Sequence, residues 1–200
     1  ASRMPSKLKA LASEISGHAF HCDATDPSAV SKLFKNMSDE IGEPDVVVYN
    51  ASGRVRGPVI RLDPKAVLEA TLTSCYGGFL VAQQAARQMM IRGSGSILLT
   101  GASASVKGYA NSSCFAMGKF GLRGLAQSLA RELQPENIHV AHFVIDGGIE
   151  KLSGDALDAS QGDDAMLHPD EIAKSYLAIH RQHRSAWTWE IELRPWVENF

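Results

Sequence analysis

Apolar positions switch repeatedly between short continuous runs and a helical spacing along this chain, and that alternation predicts strands interleaved with helices. Residues 18–24 read as a short strand ending at Asp23. Asp26-Pro27 follows, an N-cap carboxylate and a proline at the first helical position, and opens a helix with Val30, Leu33, Phe34, Met37 and Ile41 on one face until Gly42 ends it. Residues 45–49, Asp-Val-Val-Val-Tyr, lack polar alternation, as a strand buried on both faces does. Asp63-Pro64 caps a helix running to about Met90, and residues 97–100 form the next buried strand. A helix from about Cys114 to Leu133 carries Phe120, Leu122, Leu125 and Leu129; Ile138 to Ile145 is a strand. A loop rich in Gly, Asp and Ser fills 147–168, Pro169 starts a helix to about His180, and Trp187 to Leu193 alternates like a final strand.

This order predicts the α/β class, a doubly wound parallel sheet with helices on both faces, in one domain over residues 1–200. Hydrophobic residues make up 44% of the 200, enough to bury a sizeable core. The formal charge of −2 gives no basic field for nucleic acid or an anionic membrane, so neither is expected as a partner. No apolar run is long enough to cross a bilayer. Cys22, Cys75 and Cys114 are odd in number and widely spaced, which suits reduced thiols and a cytoplasmic location. The pair His180-x-x-His183 reads as surface, and no metal site is indicated.

Several separated motifs carry a resemblance. Tyr49-Asn50-Ala51-Ser52 follows one strand, Asp23-Ala24 ends another, Thr100-Gly101-Ala102-Ser103 ends a third, and Lys119 precedes Phe-Gly-Leu-Arg-Gly-Leu. In this order and spacing they resemble the short-chain dehydrogenase/reductase superfamily over nearly the whole chain. The resemblance implies a three-layer Rossmann-type fold. It also implies an oxidoreductase acting on a carbonyl or alcohol with NADP, NAD being the alternative, since Ala1-Ser2-Arg3 is similar to a segment that accompanies the phosphate of NADP. The superfamily's first strand, glycine-rich turn and following helix have no counterpart here, so the chain is expected to be N-terminally incomplete. The loss would leave a long apolar strand edge.

The same resemblance assigns roles. Lys119 takes the place of the lysine that bonds the nicotinamide ribose, Phe115 that of the catalytic tyrosine, Ala102 that of the catalytic serine and Ser74 that of the asparagine. Ser103 and Tyr109 are the candidate substitutes for the missing hydroxyls; otherwise Ser103 is a strand-end hydroxyl satisfying backbone groups and Tyr109 a loop anchor. Arg3, Asp23, Ala24, Asn50, Ala51 and Lys119 are the candidate cofactor contacts, against purely structural readings of Asp23 and Asn50 as turn residues and of Lys119 as a solvated lysine. Small residues at Gly77, Gly78, Ala82, Gly118, Gly121 and Gly124 permit close helix approach, and the superfamily's habit makes a homodimer or homotetramer the expectation. A non-catalytic nucleotide-binding or interaction protein is the rival reading, because three of four catalytic positions have changed.

Overall fold

The computed structural model describes residues 1–150 and 165–198. Four strands, β1 (Val46–Tyr49), β2 (Gly95–Thr100), β3 (Ile138–Ile145) and β4 (Glu190–Leu193), form one sheet in the order β1-β2-β3-β4, every pair parallel. All eight residues of β3 are buried, which explains why its sequence shows no polar alternation despite two histidines.

Six helices accompany the described sheet: α1 (Lys9–Glu14), α2 (Pro27–Glu40), α3 (Pro64–Thr71), α4 (Gly77–Arg92), α5 (Ser113–Leu133) and α6 (Pro169–His180). Side chains alternate across the pleat. Ile97, Leu99, Ile138 and Val140 point to the layer holding Phe34, Ala82, Met89, Leu122 and Ala126, while Leu98, Ala141, Phe143 and Ile145 meet Ile172, Tyr176 and Ile179 of α6. The result is helix, sheet, helix. On the second face Tyr176 and His180, one turn apart on α6, reach Thr100 Oγ1 at 2.8 Å and Ser96 Oγ at 2.9 Å.

Caps behave as the residues dictate. Asp26 Oδ1 accepts from Ser28 N at 2.8 Å, and Asp63 accepts from Lys65 N and Ala66 N. Gly93 ends α4 in the left-handed conformation at φ 77°.

Three expectations change. The stretch 18–24 is not a strand: it makes one bridge, His21 to Ser2, with Cys22 N donating to Ser2 O at 3.1 Å. A groove of about 600 Å³, lined by Phe20, Cys22, Val47 and Tyr49 among others, separates it from β1, so its backbone has no ladder to join there. The helix expected from 65 to 90 is interrupted at Leu72–Tyr76 by a π turn. The final strand is four residues long, because Trp187 turns aside to stack on His139 with ring centres 4.7 Å apart. A short 3-10 turn with α1 near the N-terminus had no expectation at all. Residues 151–164 of the expected loop 147–168 lie outside the described residues.

Candidate functional site

Parallel strands deliver all their C-terminal ends to one rim, where Tyr49, Thr100 and Ile145 lie. The loops after β1 and β2 and the first turns of α5 meet there.

Lys119 projects from α5 into this rim, only 3% exposed. Its Nζ donates to Thr100 O at 2.7 Å, and burial pushes its pKa down to about 8. One turn earlier stands Phe115, whose ring centre is 5.8 Å from that Nζ and 4.6 Å from the Arg54 guanidinium carbon. An aromatic face attracts both cations. Three positions on α5 are thereby linked, because Lys119 and Arg123 are also one turn apart, and Arg123 forms a bidentate pair with Glu190 at 2.6 and 2.7 Å. His142, fully buried on β3, gives Nδ1 to the same carboxylate at 3.0 Å. Burial pushes His142 down to about 4 against the pull of Glu190, and its Nε2 has no hydrogen-bond partner among the described residues. Burial pushes Glu190 up, but the Arg123 hydrogen bonds and charge, with His142, outweigh it and hold the carboxylate below its ordinary value.

The loop after β1 is clamped from below. Ser74, buried in the π turn, accepts from Gly53 N at 2.9 Å and donates to Gly53 O at 3.0 Å. A Cβ on Gly53 would lie 2.4 Å from Ala70 Cα, and one on Gly118 would lie 2.5 Å from Ser74 Cβ. Both glycines are needed for contact, and the clamp fixes the residue that follows Gly53, which is Arg54. π turns recur at functional sites for this reason: they redirect a single side chain or carbonyl within an otherwise regular helix. Tyr49 adds a second tie, its OH donating to Thr73 O at 2.5 Å.

The sequence-derived residues fall into three groups. Lys119 adjoins Phe115 and Thr100. Ser103 and Tyr109 line a different cavity, with Arg54 in its wall, and neither hydrogen-bonds Lys119. In the turn that holds Ser103, Ser105 is the buried hydroxyl and accepts from Ala102 N at 3.1 Å. Ala24, Asn50 and Ala51 border the groove beside β1. Asp23 is held below its ordinary pKa by hydrogen bonds from the Thr25 amide and hydroxyl, with the Arg3 charge contributing. No group of three His, Cys, Asp or Glu among the described residues is disposed to hold a metal ion, and no described helix is long and apolar enough to cross a membrane.

A family model described as enoyl-(acyl carrier protein) reductase matches residues 1–185. The 3-oxoacyl-[acyl-carrier-protein] reductase MabA of Mycobacterium avium is 33% identical over 137 residues, 68% of this chain and 53% of that protein. A short-chain dehydrogenase from Rhodopseudomonas palustris superposes with a TM-score of 0.80 at 34% identity, covering 98% of this chain and 84% of the other. The chain belongs to the short-chain dehydrogenase/reductase superfamily. A metagenomic short-chain oxidoreductase in complex with NADP shares the fold at a TM-score of 0.81 and 22% identity, over 98% of this chain and 85% of its own. The chain spans about half the length of the first curated relatives it matches.

Superfamily motifs pointed to Lys119, Asn50 and Ser103, and missed Arg54, Ser112 and the His142–Glu190–Arg123 cluster. The alternation Arg54-Val55-Arg56 directly after the Asn50 turn was the available signal for the first. The cluster had none, since its members are 19 and 48 residues apart in sequence and meet only through sheet register.

Proposed function

We propose that this protein is an NADP(H)-dependent oxidoreductase of the short-chain type, acting on a carbonyl or alcohol through an altered proton-transfer step. The buried ammonium of Lys119 carries the reading. Its one protein acceptor is Thr100 O, and its remaining N–H groups have no hydrogen-bond acceptor among the described residues. A buried ammonium short of acceptors is costly, and sugar hydroxyls of a nucleotide fit that donor set. Asp23 and Arg3 at the end of the neighbouring segment fit the adenosine end, Arg3 favouring the phosphate of NADP over NAD, and Asn50 and Ala51 line the approach. A fold relative in complex with NADP supports that choice.

The cofactor supplies hydride; the chain supplies position and charge. Phe115 occupies the superfamily's tyrosine position, so no hydroxyl at that position trades a proton with substrate. Arg54, resting on that ring, offers a fixed positive charge to a developing oxyanion, and protons come from Tyr109 or Ser103 at the adjoining cavity. Loss of a positioned acid is worth about 10²–10⁴ in rate, so turnover of simple carbonyls is slow.

Titrating the full-length protein with NADPH, followed by nucleotide fluorescence, tests the cofactor assignment; absence of binding at millimolar nucleotide ends it. The rival, a non-catalytic nucleotide-binding or interaction protein, is favoured by one observation: the Phe115 ring is occupied by cations where chemistry needs a hydroxyl. Combining Phe115→Tyr with Ala102→Ser discriminates. A gain of about 10²-fold or more in carbonyl reduction supports the oxidoreductase, and no gain supports the rival.

A further inference from the structure

The loop after β1 and the loop before α5 enclose a cavity of about 470 Å³ lined by Arg54, Arg56, Ser103, Tyr109, Asn111 and Ser112. That size lies within the range of small-molecule sites. The two loops are tied together, Gly57 N donating to Asn111 O at 3.0 Å, and Asn111 holds a left-handed turn at φ 60° that brings Ser112 to the start of α5.

Three independent features of this cavity select for negative charge. Arg54 and Arg56 share the wall, and neither forms an ion pair with a carboxylate among the described residues. Two guanidiniums side by side repel until an anion lies between them, and their planar forks match carboxylate and phosphate oxygens. Second, Ser112 is 5% exposed and its Oγ is buried with no hydrogen-bond partner among the described residues. It occupies the N-cap position of α5, yet its hydroxyl caps nothing. An unsatisfied buried hydroxyl is costly, and because Ser112 lines the cavity, a turn of its side chain would bring the hydroxyl to a ligand atom there. Third, α5 is 21 residues long and its N-cap residue Ser112 lines the cavity, so the positive end of the helix dipole lies at the edge of the same space.

We propose that this cavity binds the anionic head of the substrate, a carboxylate or phosphate, held by Arg54, Arg56, the Ser112 hydroxyl and the first amides of α5. The location fixes the substrate class, granted the oxidoreductase reading above. Arg54 touches both the cavity and the Phe115 ring beside Lys119, so the anion sits one aromatic ring from the reacting centre. The substrate is therefore a small carbonyl or alcohol compound with an acidic group close to the reacting carbon. A long neutral acyl chain leaves both guanidiniums without a counter-charge.

The test needs no nucleotide, so its outcome is separate from that of the NADPH titration. Full-length protein labelled with ¹⁵N is titrated with inorganic phosphate and, separately, with acetate, and the amide signals of Ser112 to Cys114 and the side-chain Nε signals of Arg54 and Arg56 are followed. Saturable shifts at these positions are expected, with the tighter of the two anions naming the head group. The Arg54→Gln/Arg56→Gln double variant is expected to weaken binding by at least about tenfold, and Ser112→Ala by about tenfold, as for hydrogen bonds to a charged group. Thermal melts of each variant establish that it is folded. The same titration on Arg3→Gln separates this site from one that takes a nucleotide phosphate, and the Ser112 shifts are expected to persist. Absence of saturable shifts at tens of millimolar of either anion overturns the proposal, and so does an affinity unchanged in the folded double variant.

Discussion

Replacing Lys119 by Met gives the sharpest test of the buried ammonium, because the direction of its effect reverses with pH. Burial lowers this lysine from its ordinary value of 10.5 to about 8. At about 1.4 kcal/mol per pH unit, that difference amounts to about 3 kcal/mol of folding free energy. The sign follows from which state takes the proton first. As pH falls below 10.5 the unfolded chain is protonated while the folded chain resists, so stability declines until pH 8, and below 8 both are charged and the loss is constant. Lys119→Met removes this cost and also removes the donor to Thr100 O, which forfeits about 1 kcal/mol. The variant is therefore expected to be about 2 kcal/mol more stable than the parent at pH 7 and about 1 kcal/mol less stable near pH 10.5. Its affinity for NADPH should collapse at the same time, a trade of stability for function. Urea unfolding of both proteins across pH 7 to 10.5 measures this. A variant less stable than the parent at pH 7, or a difference that does not move between pH 8 and 10, refutes the reasoning.

Acid should destabilise the protein through His142: with a folded pKa of about 4 against an ordinary 6.5, up to about 3 kcal/mol is lost between those pH values as the unfolded state binds the proton first. Glu190, held below its ordinary value, adds a loss of the same sign; denaturant titrations at pH 7.5 and 4.5 should show a smaller difference for His142→Gln, and an unchanged one removes the claim. Gly101→Ala should cost about 3 kcal/mol, since its Cβ would sit 2.3 Å from His142 Nε2 and 2.7 Å from Ser105 Oγ. A melting temperature within a degree or two of the parent's would show that the strand end yields. Tyr76, Phe79, Met117 and Phe120 are all exposed on the π turn and on α4 and α5, so light scattering is expected to give a homodimer or homotetramer, and a monomer at micromolar concentration contradicts that.

Elements whose burial is nearly uniform were readable from sequence, and those that depend on distant partners were not. Ile138–Ile145 is found as expected, and α5 begins one residue before the expected Cys114, because an apolar run or a 3.6-residue stripe is a local signal. Residues 18–24 have the composition of a strand, but strand status needs a neighbour, and their single bridge is to Ser2. One extra residue in a helix leaves no compositional mark, so the π turn shows itself only through distant packing such as that of Ser74 against Gly53. Small residues told half a story. Gly118 and Gly121 do permit close approach, but their Cβ positions face Ser74 and Cys75 of the same chain, and the large exposed side chains lie elsewhere on the helices. Lys119 was legible from its motif, whereas the orphan Ser112 hydroxyl emerges only once Gly57 and Asn111 are bonded across 54 residues.

The π turn at Leu72–Tyr76 also acts as a phase adjuster. One added residue rotates everything after it by about 100° relative to an uninterrupted helix. Before that offset Ala70 supports Gly53; after it Gly77 and Gly78 turn inward against Tyr49 and Leu122, with no room for a Cβ at either position. Both alignments cannot hold in a helix of ordinary pitch. Substitutions in this stretch should therefore be tolerated far better than a change of length: deleting a single residue would swing bulky Phe79 or Tyr76 toward the core and release the loop that carries Arg54.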